Sequence, residues 1–246
     1  MMELVDTAPD TNVAPAEYLR LLGYPRGWVL EGRACELAAE ARAWYREHGR
    51  PWVYAREARG VETAGGAVRI DGAAFGGKRL RRTLQVAESS AVMLVAASAG
   101  PEIEQRAREL WLEEKPDEYF FLEMFGSAVV EHLTTAIGGR LCVWAEERGL
   151  AVLPHDSPGY AGWDVSEQPR LLELLCRERS LPGALEALES GALRPKKSQL
   201  AVFGLTRQSA AGERPAALVP CRTCSLLSCQ YRRAPYGRAV ERCASI

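Results

Sequence analysis

SPGYAGWDVSEQPRLLELL, residues 157–175, packs a turn, two aromatic rings and a helix start into one short run. Pro158 fixes φ near −65° and Gly159 accepts a positive φ, so the pair forces a turn. Tyr160 and Trp163 stand beside it. Ser166 reads as a helix N-cap, with Glu167 and Gln168 in the first turn and Pro169 at the third helical position, where no amide partner is lost. Leu171, Leu172, Leu174 and Leu175 then form an apolar face, in a helix expected to run to about Arg179. A turn that exposes backbone amides and an aromatic ring beside a helix N-terminus suits an anionic or polar ligand.

Upstream of this run, Asp117 to about Gly149 reads as a long helix. Phe121, Met124, Phe125, Ala128, Val129, Leu133, Ile137, Leu141 and Trp144 make its apolar stripe, and Gly138-Gly139 is the place for a kink. Glu131 sits among apolar neighbours in FGSAVVEHLTT. Spacing leaves two readings open: a carboxylate at the edge of the stripe with its head in water, or one facing a cleft, where it could bind an ammonium. His132 reads as a structural histidine. Gly126, Ser127 and Ala128 let another element pack close.

Further out, Pro15–Gly23, Glu31–His48, Lys78–Gln85, Pro101–Glu114 and Pro182–Gly191 carry helical patterns. Pro51–Arg59, Ala67–Ile70 and Leu200–Leu205 read as strands. Ser90–Ser98 is an apolar, Val-rich run of strand length, expected at the centre of a sheet. Helices with few, scattered strands indicate an α+β fold. Residues 1–15 read as a flexible leader, 16–208 as the α+β domain, and 209–246 as a linker with a cysteine-rich tail.

The chain has 246 residues, is 47% apolar and carries a formal net charge of −1. That suffices for a sizeable core and leaves no global field to recruit nucleic acid or a membrane surface. No run of about 18 apolar residues marks a membrane span, and the acidic, Pro-bearing N-terminus lacks a signal-peptide pattern. A cytoplasmic protein is expected. Cys35, Cys142 and Cys176 read as small buried hydrophobes. Cys221, Cys224, Cys229 and Cys243 instead crowd together as Cys-x2-Cys-x4-Cys with a fourth beyond. Thiolates at x2 spacing can share one metal ion, and four complete a tetrahedral site, so zinc or an iron–sulfur cluster is expected there. Arg232, Arg233 and Arg238 would stabilise an anionic cluster.

Three stretches, in order, resemble a known family: PDEYFFLEMFGSAVVEHL (116–133), SPGYAGWDVSEQPRLLELL (157–175) and SGALRPKKSQLAVFG (190–204). They look like the activation domain of vitamin-B12-dependent methionine synthase, in its small stand-alone bacterial form. LQVAESSAVMLVAASAGPEIEQRARELW (84–111) and PAEYLRLLGYPRG (15–27) fit the same pattern. The resemblance covers roughly residues 16–206. It implies a curved antiparallel sheet flanked by helices, with S-adenosylmethionine bound in a shallow groove. It further implies docking over the cobalamin of a separate corrinoid methyltransferase, where one electron from a donor such as a flavodoxin or ferredoxin permits reductive methylation.

Residue by residue, the resemblance gives Glu131 the ligand's amino group, through a charge-assisted bond. It gives Ser157, Gly159 and Tyr160 the adenosine part. The family usually has an Arg three positions before the Pro-Gly pair, paired with the ligand carboxylate. This chain has His155, which cannot form the bidentate fork; either Arg170, Arg194 or another residue substitutes, or the ligand differs. GLTRQSAAG (204–212) also lacks the tyrosine that the full-length enzyme supplies after the last strand. An Asp-x-His-x-x-Gly cobalamin signature is missing, so an accessory component is implied rather than a complete methionine synthase. The competing readings are a metal or iron–sulfur electron-transfer or corrinoid-protein-binding module with a decayed ligand site, and a scaffold with a structural zinc.

Overall fold

A Val-rich apolar run bounded by polar turns is too short for a core helix, and residues 91–98 form a central strand accordingly. The computed structural model describes residues 2–63 and 65–207. Its strands are β1 Glu3–Asp6, β2 Trp52–Ala58, β3 Val61–Glu62, β4 Val68–Ile70, β5 Ala73–Phe75, β6 Ala91–Ser98, β7 Leu150–Val152, β8 Glu186–Ala187, β9 Leu193–Arg194 and β10 Ser198–Arg207. The helices are α1 Pro15–Leu21, α2 Gly32–His48, α3 Lys78–Val86, α4 Glu102–Leu112, α5 Pro116–Glu146 and α6 Gln168–Cys176. A five-stranded antiparallel sheet, ordered β1-β2-β6-β10-β7, forms the centre. A small β3-β4-β5 sheet and a β8-β9 hairpin lie beside it. The fold is α+β, a curved antiparallel sheet flanked by helices.

Alternation along the central strands separates two cores. Val53, Ala55, Met93, Val95, Ala97, Ala201, Phe203 and Leu205 face α1, α2, α4 and α5. Trp52, Tyr54, Val92, Leu94, Ala96, Leu200 and Val202 face α3, α6 and the small sheet. Among the described residues, α5 is the helix long and apolar enough to cross a membrane, but most of that stretch is buried within the protein. It runs through Gly138 and Gly139 as one element. Gly126 is the point of closest approach: a Cβ there would stand 2.8 Å from Ile103 and 3.1 Å from the Lys197 stem.

Several expectations are corrected. Residues 3–6 of the expected leader form β1, because Glu3–Asp6 completes the ladder on the open edge of β2. Pro182–Gly191 is not helical. Gly183 lies against the Trp52 indole, where a Cβ would come within 2.3 Å, and the chain turns at Leu188–Ala192 into the β8-β9 hairpin. Tertiary contact thus outweighs local propensity. Cys35 is exposed, and Cys142 and Cys176 are only half-buried. The metal-ligand reading of Cys221, Cys224, Cys229 and Cys243 lies outside the described residues. Among the described residues no His/Cys/Asp/Glu cluster has metal-site geometry.

Candidate functional site

The Pro158-Gly159 pair does what its chemistry dictates. Tyr160 N–H donates to the Ser157 carbonyl at 3.0 Å, and Gly159 takes φ +95°. Pro at the second and a left-handed Gly at the third position are the signature of a type II turn. The helix start differs from expectation. Asp164, not Ser166, is the cap: its carboxylate accepts Ser166 N–H at 2.8 Å, and a 3₁₀ turn (Val165–Glu167) precedes α6. An Asp two residues earlier has the same capping chemistry, which makes the two positions hard to separate from sequence. Trp163 is buried edge-on against Phe75, its Nε1 donating to Glu167 at 2.6 Å. Trp163 therefore anchors the turn, and protein carboxylates already occupy the helix N-terminus.

Ahead of the turn, the chain from β7 continues along β10 with one extra residue. Val152 pairs with Leu205 and Asp156 with Val202, four steps against three. This is a β-bulge over Leu153–His155. Gly204 admits it, since a Cβ would lie 2.7 Å from Leu153. The bulge aims His155 at the α5 side, its ring 5.1 Å from that of Phe203. Asp156 points to the opposite face, where Arg79 of α3 holds it through two nitrogens. Asp156 is almost fully buried and Arg79 nearly so. The Arg79 guanidinium also lies 5.4 Å from the Tyr160 ring centroid, a cation–π distance.

These elements meet beside α5. Gln199, at the start of β10, donates to Tyr160 Oη at 2.8 Å and to Ser157 Oγ at 3.3 Å. Thr134 Oγ1 lies 2.8 Å from Gln199 Oε1. His155 Nε2 and Tyr160 Oη are 3.1 Å apart. The phenol has one proton to donate and room for a second acceptor bond beside Gln199, so it can pair with either tautomer of the His155 ring. Burial, with Glu131 nearby as the next cause, pushes the Tyr160 phenol well above its ordinary range. The hydroxyl stays protonated and serves as a fixed hydrogen-bonding group.

Glu131 is half-buried on α5, within electrostatic reach of Tyr160. One turn earlier on the same face, Ser127 accepts from Lys197 Nζ at 2.9 Å. Lys197 and Lys196 both pair with the buried Glu123, at 3.1 and 2.9 Å. The structure thus brings Ser157, Tyr160 and His155 together, with Glu131 close by and Gly159 shaping the turn. The suggested substitutes do not join them: Arg170 donates to the Ala74 carbonyl, and Arg194 pairs with Glu186 on the surface. His132 faces the N-terminal segment, 3.8 Å from Asp10. Sequence reading missed Gln199, Thr134 and Arg79. Gln199 left a faint signal, as a polar residue opening an apolar strand. Arg79 left none among the four cations of KRLRR. Two cavities lie elsewhere, about 370 Å³ beside Trp111 and Tyr119 and about 730 Å³ between Glu57 and Arg207.

No protein-family model matches the chain, and no curated sequence matches it. Among solved structures, it is similar to a crystal structure of the MetH reactivation domain bound to AdoHcy. The TM-score is 0.61 and the identity 11%, over 89% of this chain and 82% of that one. The likeness read from three short motifs therefore extends to the whole architecture: this chain has the fold of the MetH reactivation domain.

Proposed function

We propose that the chain binds S-adenosylmethionine at the groove between α5 and the Ser157–Tyr160 turn, and presents it to the cobalamin of a partner methyltransferase, most simply methionine synthase. The observation that carries this reading is the placement of Glu131. Its carboxylate stands beside a rigid hydrogen-bonded turn, in a fold whose solved relative carries AdoHcy. A carboxylate suits the ligand's ammonium, and the turn's backbone with the Tyr160 ring suits the adenosine. The protein's part is positioning, since the methyl transfer belongs to ligand and corrin. Calorimetric titration with S-adenosylmethionine tests it. Wild type should bind, and Glu131→Ala should weaken binding roughly 10- to 100-fold, the worth of one charge-assisted bond. Absence of binding at millimolar ligand overturns the reading.

His155 favours a second reading. Its Nε2 is turned to Tyr160 rather than outward, and it replaces the family's arginine. A module that docks on a corrinoid protein and passes an electron through a metal at Cys221, Cys224, Cys229 and Cys243, with a cytoplasmic flavodoxin or ferredoxin upstream, accounts for that change. Anaerobically purified protein holding an iron–sulfur cluster should be brown, with visible absorption that bleaches on reduction. Colourless protein carrying one zinc ion would rule out electron transfer and leave the cysteines a structural role.

A further inference from the structure

An amino-acid group carries its ammonium and carboxylate on one carbon. A ligand whose ammonium meets Glu131 therefore needs a cation or strong donor a few ångströms away. The nearby nitrogen-bearing side chains differ in availability. Arg79 is committed to Asp156 through two bonds and lies toward the α3 face. His155 is committed at Nε2 to Tyr160 and cannot form a bidentate fork. Lys197 is placed differently. Its ammonium hydrogen-bonds Ser127, one helical turn from Glu131 on the same face of α5.

Three features prepare Lys197 for an anion. Its stem lies against Gly126, where a Cβ would be 3.1 Å from its Cγ, so the ammonium is positioned by packing. Its side chain is only 11% exposed, so an anion that reaches the ammonium meets little competition from water. Its carboxylate partner Glu123 is shared with Lys196, which keeps Glu123 neutralised when Lys197 turns to another anion. Glu104 contributes a further negative charge to both lysines, and its carboxylate accepts the Lys196 N–H. Lys197 and Gln199 lie two residues apart where β10 begins. Their contacts on α5, Ser127 and Thr134, bracket Glu131.

We infer that Lys197, with the Ser127 hydroxyl, holds the carboxylate of the ligand's amino-acid end while Glu131 holds its ammonium. This assignment rests on the binding reading above. It moves the anion-binding role from the loop before the turn to the segment leading into β10.

The test compares S-adenosylmethionine with decarboxylated S-adenosylmethionine, by calorimetry, on wild type, Lys197→Met, Lys197→Arg and Ser127→Ala. Wild type should prefer the carboxylated ligand roughly tenfold or more. Lys197→Met should bind both ligands alike, at the affinity wild type has for the decarboxylated one. Lys197→Arg should keep part of the preference, and Ser127→Ala should reduce it a few-fold. Thermal melts identify any variant that fails to fold; the arginine and alanine variants then carry the comparison. A preference that survives in Lys197→Met overturns the assignment, as does a wild type that binds both ligands equally. Failure of wild type to bind either ligand overturns the binding reading itself, a distinct result.

Discussion

Asp156→Ala should lower the stability of the protein by roughly 3–5 kcal/mol, the usual result of stripping one partner from a buried ion pair. The two side chains are 4% and 15% exposed, so solvent does little to compensate the guanidinium left behind. The same carboxylate also accepts Ser157 N–H at 3.0 Å, so the Ser157–Tyr160 turn loses its anchor together with Arg79. Urea denaturation should show a lower midpoint at unchanged slope. Arg79→Met combined with Asp156→Leu should cost less than Asp156→Ala alone, because no uncompensated charge remains. If Asp156→Ala loses well under 1 kcal/mol, Arg79 swings into solvent and the pair behaves as a surface one.

Phe203→Ala should destabilise by a similar amount, roughly 3–5 kcal/mol, through lost burial and the cavity left behind. Phe203 is 1% exposed, sits opposite Met93 in the centre of the sheet, and supports the His155 ring. Phe203→Leu fills more of the space and should cost clearly less. Chemical denaturation of both variants gives the comparison, and equal losses would contradict a packing origin.

The frame of the fold was legible because its signals are periodic and local. The stripe of α5, the apolar run of β6 and the Pro158-Gly159 turn each follow from neighbouring residues. The flanks of the site were not legible in that way. Arg79 meets Asp156 across 77 positions, and Gln199 meets Tyr160 across 39. Such meetings depend on strand order, which no local pattern encodes. The Asp164 cap and the β8-β9 hairpin failed for a related reason, since each was decided among chemically similar local choices by what lay against it.

The bulge before the turn also sets a parity. In an unbroken ladder continuing from Val152 opposite Leu205, the residue facing Val202 would be His155 instead of Asp156. The imidazole would then point at the Arg79 guanidinium, and the Asp156 carboxylate would swing toward the side of Glu131. Both encounters would lose their charge attraction, one by setting an imidazole in place of a carboxylate opposite the guanidinium and the other by bringing two carboxylates together. A single inserted residue keeps unlike partners together on each side of the sheet. Chain length between β7 and the turn is therefore an electrostatic variable as much as a geometric one.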